Sequence, residues 1–287
     1  MPTPEQIVAT SVKLVTLPEI FTRVKRVVDD PDTTAIDLAL VISADPAMTA
    51  RVLRLINSAF WGFSRNIESL SRAVSLLGMI QVHDLVLATS VAQTFDGMRP
   101  QLMDVAKFWR GCVFRGLAAT ALARKIKLVD LGRVFTEGLI SDIGHMVLFL
   151  NLPELAAQAL EQTRERPWEL AQAERALIGC DAAQVGGALA DAWKLPACFG
   201  AAIRHLNDPH NAGSHAMEAS LLHIAAALAQ HQGAARDEPA WAAAITPFAW
   251  QSLALTADCL PEIRAEVETS LSATAQLFGA SVAGSAA

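Results

Sequence analysis

Two residue pairs in this 287-residue chain have the types and spacing of acid–base or metal chemistry. His83-Asp84 sets an imidazole beside a carboxylate, donors that hold divalent ions. Asp142 and His145 stand three residues apart, so on a helix they share a face and can pair. Five of the seven histidines lie between His205 and His231, the outline of a metal cluster. Helix geometry argues against it: at ~1.5 Å rise per residue, His215 and His223 would be about 12 Å apart. His210 falls in a turn, Asn207-Asp208-Pro209-His210-Asn211, and the group reads as a surface scatter. Cys112, Cys180, Cys198 and Cys259 are far apart, which suggests neither a zinc knuckle nor a redox dithiol. Arg51 and Arg54, with Arg23, Lys25 and Arg26, are candidates for a phosphate-binding patch. There is no glycine-rich phosphate loop and no Gly-x-Ser-x-Gly elbow.

These residues need a scaffold, and the composition points to helices. Hydrophobic residues make up 52% and charged residues 18%, enough to bury a sizeable core. Much of the apolar share is alanine and tyrosine is absent, which favours closely packed helices over sheets. A net charge of −6 argues against duplex DNA as a partner. The start, Met1-Pro2-Thr3-Pro4-Glu5, lacks the regions of a signal peptide, and no apolar stretch reaches the ~20 residues of a membrane span. A cytoplasmic protein is expected, without a membrane partner.

Helical periodicity runs through Leu17–Val28 and stops at Asp29-Asp30-Pro31-Asp32. Thr34 with Asp37 opens a second helix, and Asp45 caps a third that begins at Pro46 and turns Met48, Val52, Leu55 and Ile56 inward. An aromatic loop, Asn57 to Phe63, follows. Ser69 or Ser71 opens the next helix, and a further run extends past Gly78 to about Phe95. Asp96-Gly97-Met98-Arg99-Pro100 is the clearest internal boundary. Long helices are predicted over about 102–127 and 131–150, and Pro153, Pro167, Pro196 and Pro209 mark later starts or breaks. No sustained period-2 alternation calls for strands. Thirteen or so helices are expected, with a frayed tail over 279–287.

The combined string Leu17-Pro18, Ala44-Asp45-Pro46-Ala47-Met48-Thr49, Arg51 through Ala59, Ile67-Glu68-Ser69-Leu70, Ala73-Val74 and Leu76-Leu77-Gly78 resembles the HDOD family. The likeness implies an all-α, HD-domain-like architecture in two packed helical lobes. The HDOD domain would cover 14–230, with lobe one at about 14–96 and an HD-like lobe at about 101–230. Residues 1–13 would be an N-terminal extension and 231–287 a C-terminal helical one. HD phosphohydrolases hold one or two metals with a His, a His-Asp pair and a distal Asp, and the metal acidifies a water that attacks phosphorus. By the resemblance, the first His position reads Gly111, the pair reads Ser141-Asp142, a downstream His position reads Ala182, and one His of a common double remains as His205. The distal Asp would fall in Ile224–Ala227, which carries only alanines after Ile224. His83-Asp84 has no companion ligands at HD-like positions.

Two remaining ligands do not make a catalytic metal site. The expectation is therefore a non-catalytic regulatory module of bacterial signal transduction, with no metal and no cofactor. It would bind another signalling protein, or a nucleotide-type ligand, in the cleft between lobes or through Phe60, Trp61, Phe63, Arg51 and Arg54. The rival readings are a degenerate metal-dependent phosphohydrolase acting on nucleotides or cyclic dinucleotides, and a nucleic-acid-binding regulator. With no sensor or receiver domain evident in the sequence, its input is expected to arrive non-covalently.

Overall fold

The computed structural model describes residues 1–11, 15–98, 100–230 and 244–283. Sixteen α-helices and no strand occur among them. The N-terminal segment forms α1 (Pro4–Ser11), and the first lobe follows as α2 (Glu19–Asp29), α3 (Ala35–Ser43), α4 (Pro46–Ile56), α5 (Leu70–Leu77) and α6 (Met79–Thr94). Local chemistry sets these boundaries. The Thr34 hydroxyl accepts from the Asp37 amide while the Asp37 carboxylate accepts from the Thr34 amide, a capping box. Asp45 accepts from the Met48 amide at 2.9 Å, with Pro46 in the first turn. Met48, Val52, Leu55 and Ile56 all face inward. Ser69 caps α5, and Gly78, at φ +85°, turns the chain into α6.

The backbone amides of Asn57 and Ser58 already serve the α4 carbonyls of Leu53 and Leu55, so the Asn57 side chain is released. It reaches across the aromatic loop instead, donating to the Ile67 carbonyl at 2.9 Å and accepting from the Ile67 amide at 2.7 Å. Ser58 Oγ has no hydrogen-bond partner among the described residues.

The second lobe comprises α7 (Val105–Lys125), α8 (Leu131–Ile140), α9 (Ile143–Asn151), α10 (Pro153–Gln162), α11 (Leu170–Ile178), α12 (Ala182–Ala192), α13 (Ala197–Arg204) and α14 (Ala216–Gln230). The single helix expected over 131–150 is two, broken at Ser141-Asp142. Two helices follow, α15 (Pro247–Leu253) and α16 (Leu260–Ala283). The last remains helical past Gly279, where fraying was expected, and residues 284–287 lie outside the described set.

The buried side chains form one cluster that runs through both lobes. Gly97, at φ +80°, is thus a corner in the chain, and a common core lies across it. The ends of the chain fasten the body. Helix α1 docks on α9 and α12, with Asn151 bonded to Ser11 and Thr10. Helix α16 packs along α7 and against α4 and α6, and ion pairs join Arg124 to Glu266 and Lys125 to Glu262. No single helix among the described residues is long and apolar enough to cross a membrane.

Candidate functional site

Close backbone packing brings the site together. A Cβ on Gly138 would stand 2.8 Å from the Arg115 carbonyl oxygen, so α8 lies directly against α7. A Cβ on Gly144 would stand 1.8 Å from the Ala182 carbonyl oxygen, so α9 lies directly against α12. The break at Ser141-Asp142 is therefore held between three helices, and its polar side chains meet those of α7 and α11.

Asp142 is the hub. Its Oδ1 forms an ion pair with Arg115 Nη2 at 3.0 Å and lies 2.8 Å from His145 Nδ1. The other imidazole nitrogen, Nε2, is 3.1 Å from Glu174 Oε1, a charge contact without hydrogen-bond alignment. Glu174 Oε2 accepts from the Ala182 amide at 2.9 Å. The result is a relay, Arg115–Asp142–His145–Glu174, in which cation and anion alternate. Side-chain exposure falls from 17% at Asp142 to 1% at Glu174, so these are largely desolvated charges that need one another. Burial alone would lower the His145 pKa, yet the carboxylates of Glu174 and Asp142 raise it to about 10. Burial alone would raise Asp142, yet the Arg115 guanidinium and then His145 hold it well below the usual carboxylate range.

The residues around this relay include several of the predicted positions. Ser141, Asp142 and Ala182 line one small cavity of about 50 Å³, as does Ala226 from the expected distal-Asp segment. Gly111 lines an adjoining groove of about 410 Å³ that shares Arg115, Asp142 and Gln230 with it. His205 is not in either lining; it ends α13, and its neighbours Leu206 and Asn207 face the cavity.

This donor set does not fit a divalent ion. Gly111, Ala182 and Ala226 offer no side-chain ligand, and the Ser141 hydroxyl donates to the Gly138 carbonyl at 2.7 Å. Asp142 already has a cationic partner, and both nitrogens of His145 face carboxylates. A zinc-type ligand must be a neutral imidazole with a free lone pair. No cluster of three metal-ligating side chains occurs among the described residues.

Sequence reasoning placed Asp142 with His145 but missed Arg115 and Glu174. Arg115 carried a signal: it is a lone cation in the run Cys112–Ala123 that is otherwise apolar or small. Glu174 carried none, since it sits beside Arg175 in an ordinary mixed helix. The histidine scatter resolves into separate roles. His223 Nδ1 bonds the Leu206 carbonyl at 2.7 Å and Nε2 accepts from the Thr246 amide, while His210 pairs with Asp208 in its turn. His231 lies outside the described residues. His83 and Asp84 are a buried pair at 2.9 Å on α6, with His83 tilted against Phe21.

The aromatic loop and the arginines do not form the surface that the sequence suggested. Phe60 is only 4% exposed and belongs to the core, with the Arg124 guanidinium 4.2 Å above its ring and Phe135 beside it. The loop is short and pinned by Asn57, which drives its first ring inward. Trp61 is half-buried against Phe60 and Phe135, and Phe63 is exposed. Arg51 is half-buried beside Leu277 and Phe278, whereas Arg54 is exposed with Nε bonded to the Ala50 carbonyl of its own helix. Arg23 faces a different crevice, beside Asp45 and Pro46. Only Lys25 and Arg26 share a concavity, and it lies between the lobes.

The fold and site define an all-helical domain around a buried relay of charges, with no cluster of metal-ligating side chains among the described residues. The chain belongs to the HDOD domain family, whose model matches residues 14–209. A curated but uncharacterized protein of Treponema pallidum (strain Nichols) is 29% identical over 198 residues, 68% of this chain. The chain spans 38% of that relative's length. Among solved structures, a protein of Shewanella amazonensis SB2B that bears a phosphohydrolase name is 24% identical, with a TM-score of 0.73, covering 96% of this chain and 97% of its own. An HDOD domain protein of unknown function from Geobacter sulfurreducens is 20% identical with a TM-score of 0.71, covering 96% and 99%. A protein of Marinobacter aquaeolei VT8 named for signal transduction is 23% identical with a TM-score of 0.68, covering 95% of this chain and 61% of its own. At these identities the likeness is one of fold.

Proposed function

We propose that this chain is a non-catalytic regulatory module of a signalling pathway, in which the HD-type centre has become a structural strut. The observation that carries this reading is the ion pair between Arg115 and Asp142 at 3.0 Å. The Asp of the family's His-Asp pair has its charge met by a guanidinium from the neighbouring helix. A metal-activated water has no ligand set to hold its metal here, and a water activated by His145 would need a free nitrogen as base. With chemistry removed from the centre, function passes to what the body can bind: another protein or a small ligand.

The test is metal content and turnover together. Purified protein after mild dialysis is expected to hold well under one equivalent of manganese, iron or zinc, read by elemental mass spectrometry. It is expected to hydrolyse bis(p-nitrophenyl) phosphate no faster than an Asp142→Ala variant, with or without added manganese. A full equivalent of metal, with turnover that Asp142→Ala abolishes, would make the chain an enzyme and refute the proposal.

A further inference from the structure

We infer that the concavity between the two lobes is a binding site for a small planar molecule carrying an anionic group. This inference rests on the regulatory reading above, because it supplies the ligand that such a module would sense. The cavity measures about 520 Å³, within the range of small-molecule sites. One wall is α2, from the first lobe. The other is the end of α12, from the second. An occupant would therefore touch both lobes at once, whereas the relay cavity, at about 50 Å³, has room for little more than water.

The lining specifies the chemistry. The floor is apolar and aromatic: Leu17, Phe21 and Trp193. It is also fixed. Trp193 donates its indole N–H to the Val15 carbonyl at 2.8 Å, and its ring meets Phe95 edge-on. Phe21 is held against His83. Rigid rings with no donor left to offer suit a flat apolar body. The cations stand above this floor. Lys25 is neutralised by Asp29 at 2.7 Å, but Arg26 and Lys194, one from each lobe, have no carboxylate within ion-pair distance among the described residues. In a chain of net charge −6, two uncompensated cations over one aromatic floor favour an anionic head group. Asp30 and Asp29 on the same rim disfavour a polyanion, so one phosphate, sulfonate or carboxylate fits better than several.

Lys194 also permits a test that separates binding from folding. It follows the end of α12 at φ +55°, a left-handed conformation in which glycine is the least strained residue. Lys127, at φ +59° after α7, is in the same conformation away from the cavity and serves as a control. Anilinonaphthalene sulfonate, a planar apolar body with one sulfonate, is the probe, titrated by fluorescence with EDTA present. Saturation at one site is expected, with displacement by a nucleoside monophosphate or by an aryl carboxylate; whichever displaces it identifies the source of the anion. Arg26→Glu/Lys194→Glu should weaken binding by about tenfold or more, each reversal turning an attraction into a repulsion. Lys194→Gly should raise Tm yet weaken binding, and Lys127→Gly should raise Tm and leave binding unchanged. Wild-type affinity in the double variant or in Lys194→Gly, or a failure of both anion types to displace the probe, would overturn the inference. Because EDTA is present, metal-dependent turnover with a normal groove response would refute the regulatory reading alone. A flat groove response without turnover would refute the groove alone.

Discussion

If the Arg115–Asp142 pair has taken over a metal's electrostatic task, removing half of it should cost far more than removing all of it. The two groups are 3.0 Å apart, with side chains only 9% and 17% exposed. At an effective dielectric near 20, that separation gives roughly 5 kcal/mol of gross attraction, most of which offsets the desolvation of both charges. Arg115→Met leaves the Asp142 carboxylate buried with only His145 to meet it, and should destabilise the fold by about 3–5 kcal/mol. Arg115→Met/Asp142→Asn removes both charges, keeps an acceptor for His145 Nδ1, and should cost only about 1–2 kcal/mol. The two single changes then sum to well over the double, with a coupling of about 2 kcal/mol or more. Urea unfolding near neutral pH, with a constant m-value across the four proteins, measures this cycle directly. Costs that add to within about 0.5 kcal/mol would refute the argument, because independent groups behave that way.

Two further predictions follow from packing and burial. Glu137 is 1% exposed, neither carboxylate oxygen has a hydrogen-bond partner, and the nearest guanidinium nitrogen, Arg133 Nε, is 4.0 Å away. Burial, only partly offset by Arg133, raises its pKa from 4.5 to about 8. The folded chain thus keeps a proton that the unfolded chain sheds between those values, so stability falls as pH rises from 4.5 through 8, by about 3 kcal/mol at pH 7. Glu137→Gln should flatten that fall, and parallel stability–pH curves for the variant and the parent would contradict it. Gly144→Ala places a methyl group 1.8 Å from the Ala182 carbonyl oxygen, which is backbone and cannot rotate aside. It should cost about 3 kcal/mol or more and lower Tm by several degrees, whereas an unchanged Tm would show that α9 and α12 can separate freely.

The sequence spoke most clearly where the deciding chemistry is local. Thr34 with Asp37, Asp45 with Pro46, and Ser69 each act within four residues, so reading along the chain finds them. Leu17 through Gly78 named the family for the same reason: it is a string of caps, turns and core positions. The break at Ser141-Asp142 was not legible, because neither residue is a helix breaker and the contact that favours the break, Arg115, lies on a different helix, far back in the chain. Phe60 was misplaced by the same kind of distance. A three-residue aromatic group in a loop reads as surface until Arg124 and Phe135 are known to stand over it. Of the site, the pairing of Asp142 with His145 was legible, three residues apart on one helix face, and the rest of the relay was not, since it needs residues of α7, α9 and α11 brought together.

Arg115 gives the Asp142 carboxylate its partner from a neighbouring helix. It stands four residues after Gly111 on α7, hence one turn along the same helical face. Gly111 itself has open space where a Cβ would be. The long cation one turn later reaches the Asp142 carboxylate across this open space. An apolar residue at 115 would instead leave that carboxylate with His145 alone, and the His145 imidazole is shared with the buried Glu174. The charges therefore stand or fall together. Such a strut holds α7, α9 and α11 together. It leaves the interlobe groove, formed by α2 and the end of α12 and about 520 Å³ in volume, open to a ligand.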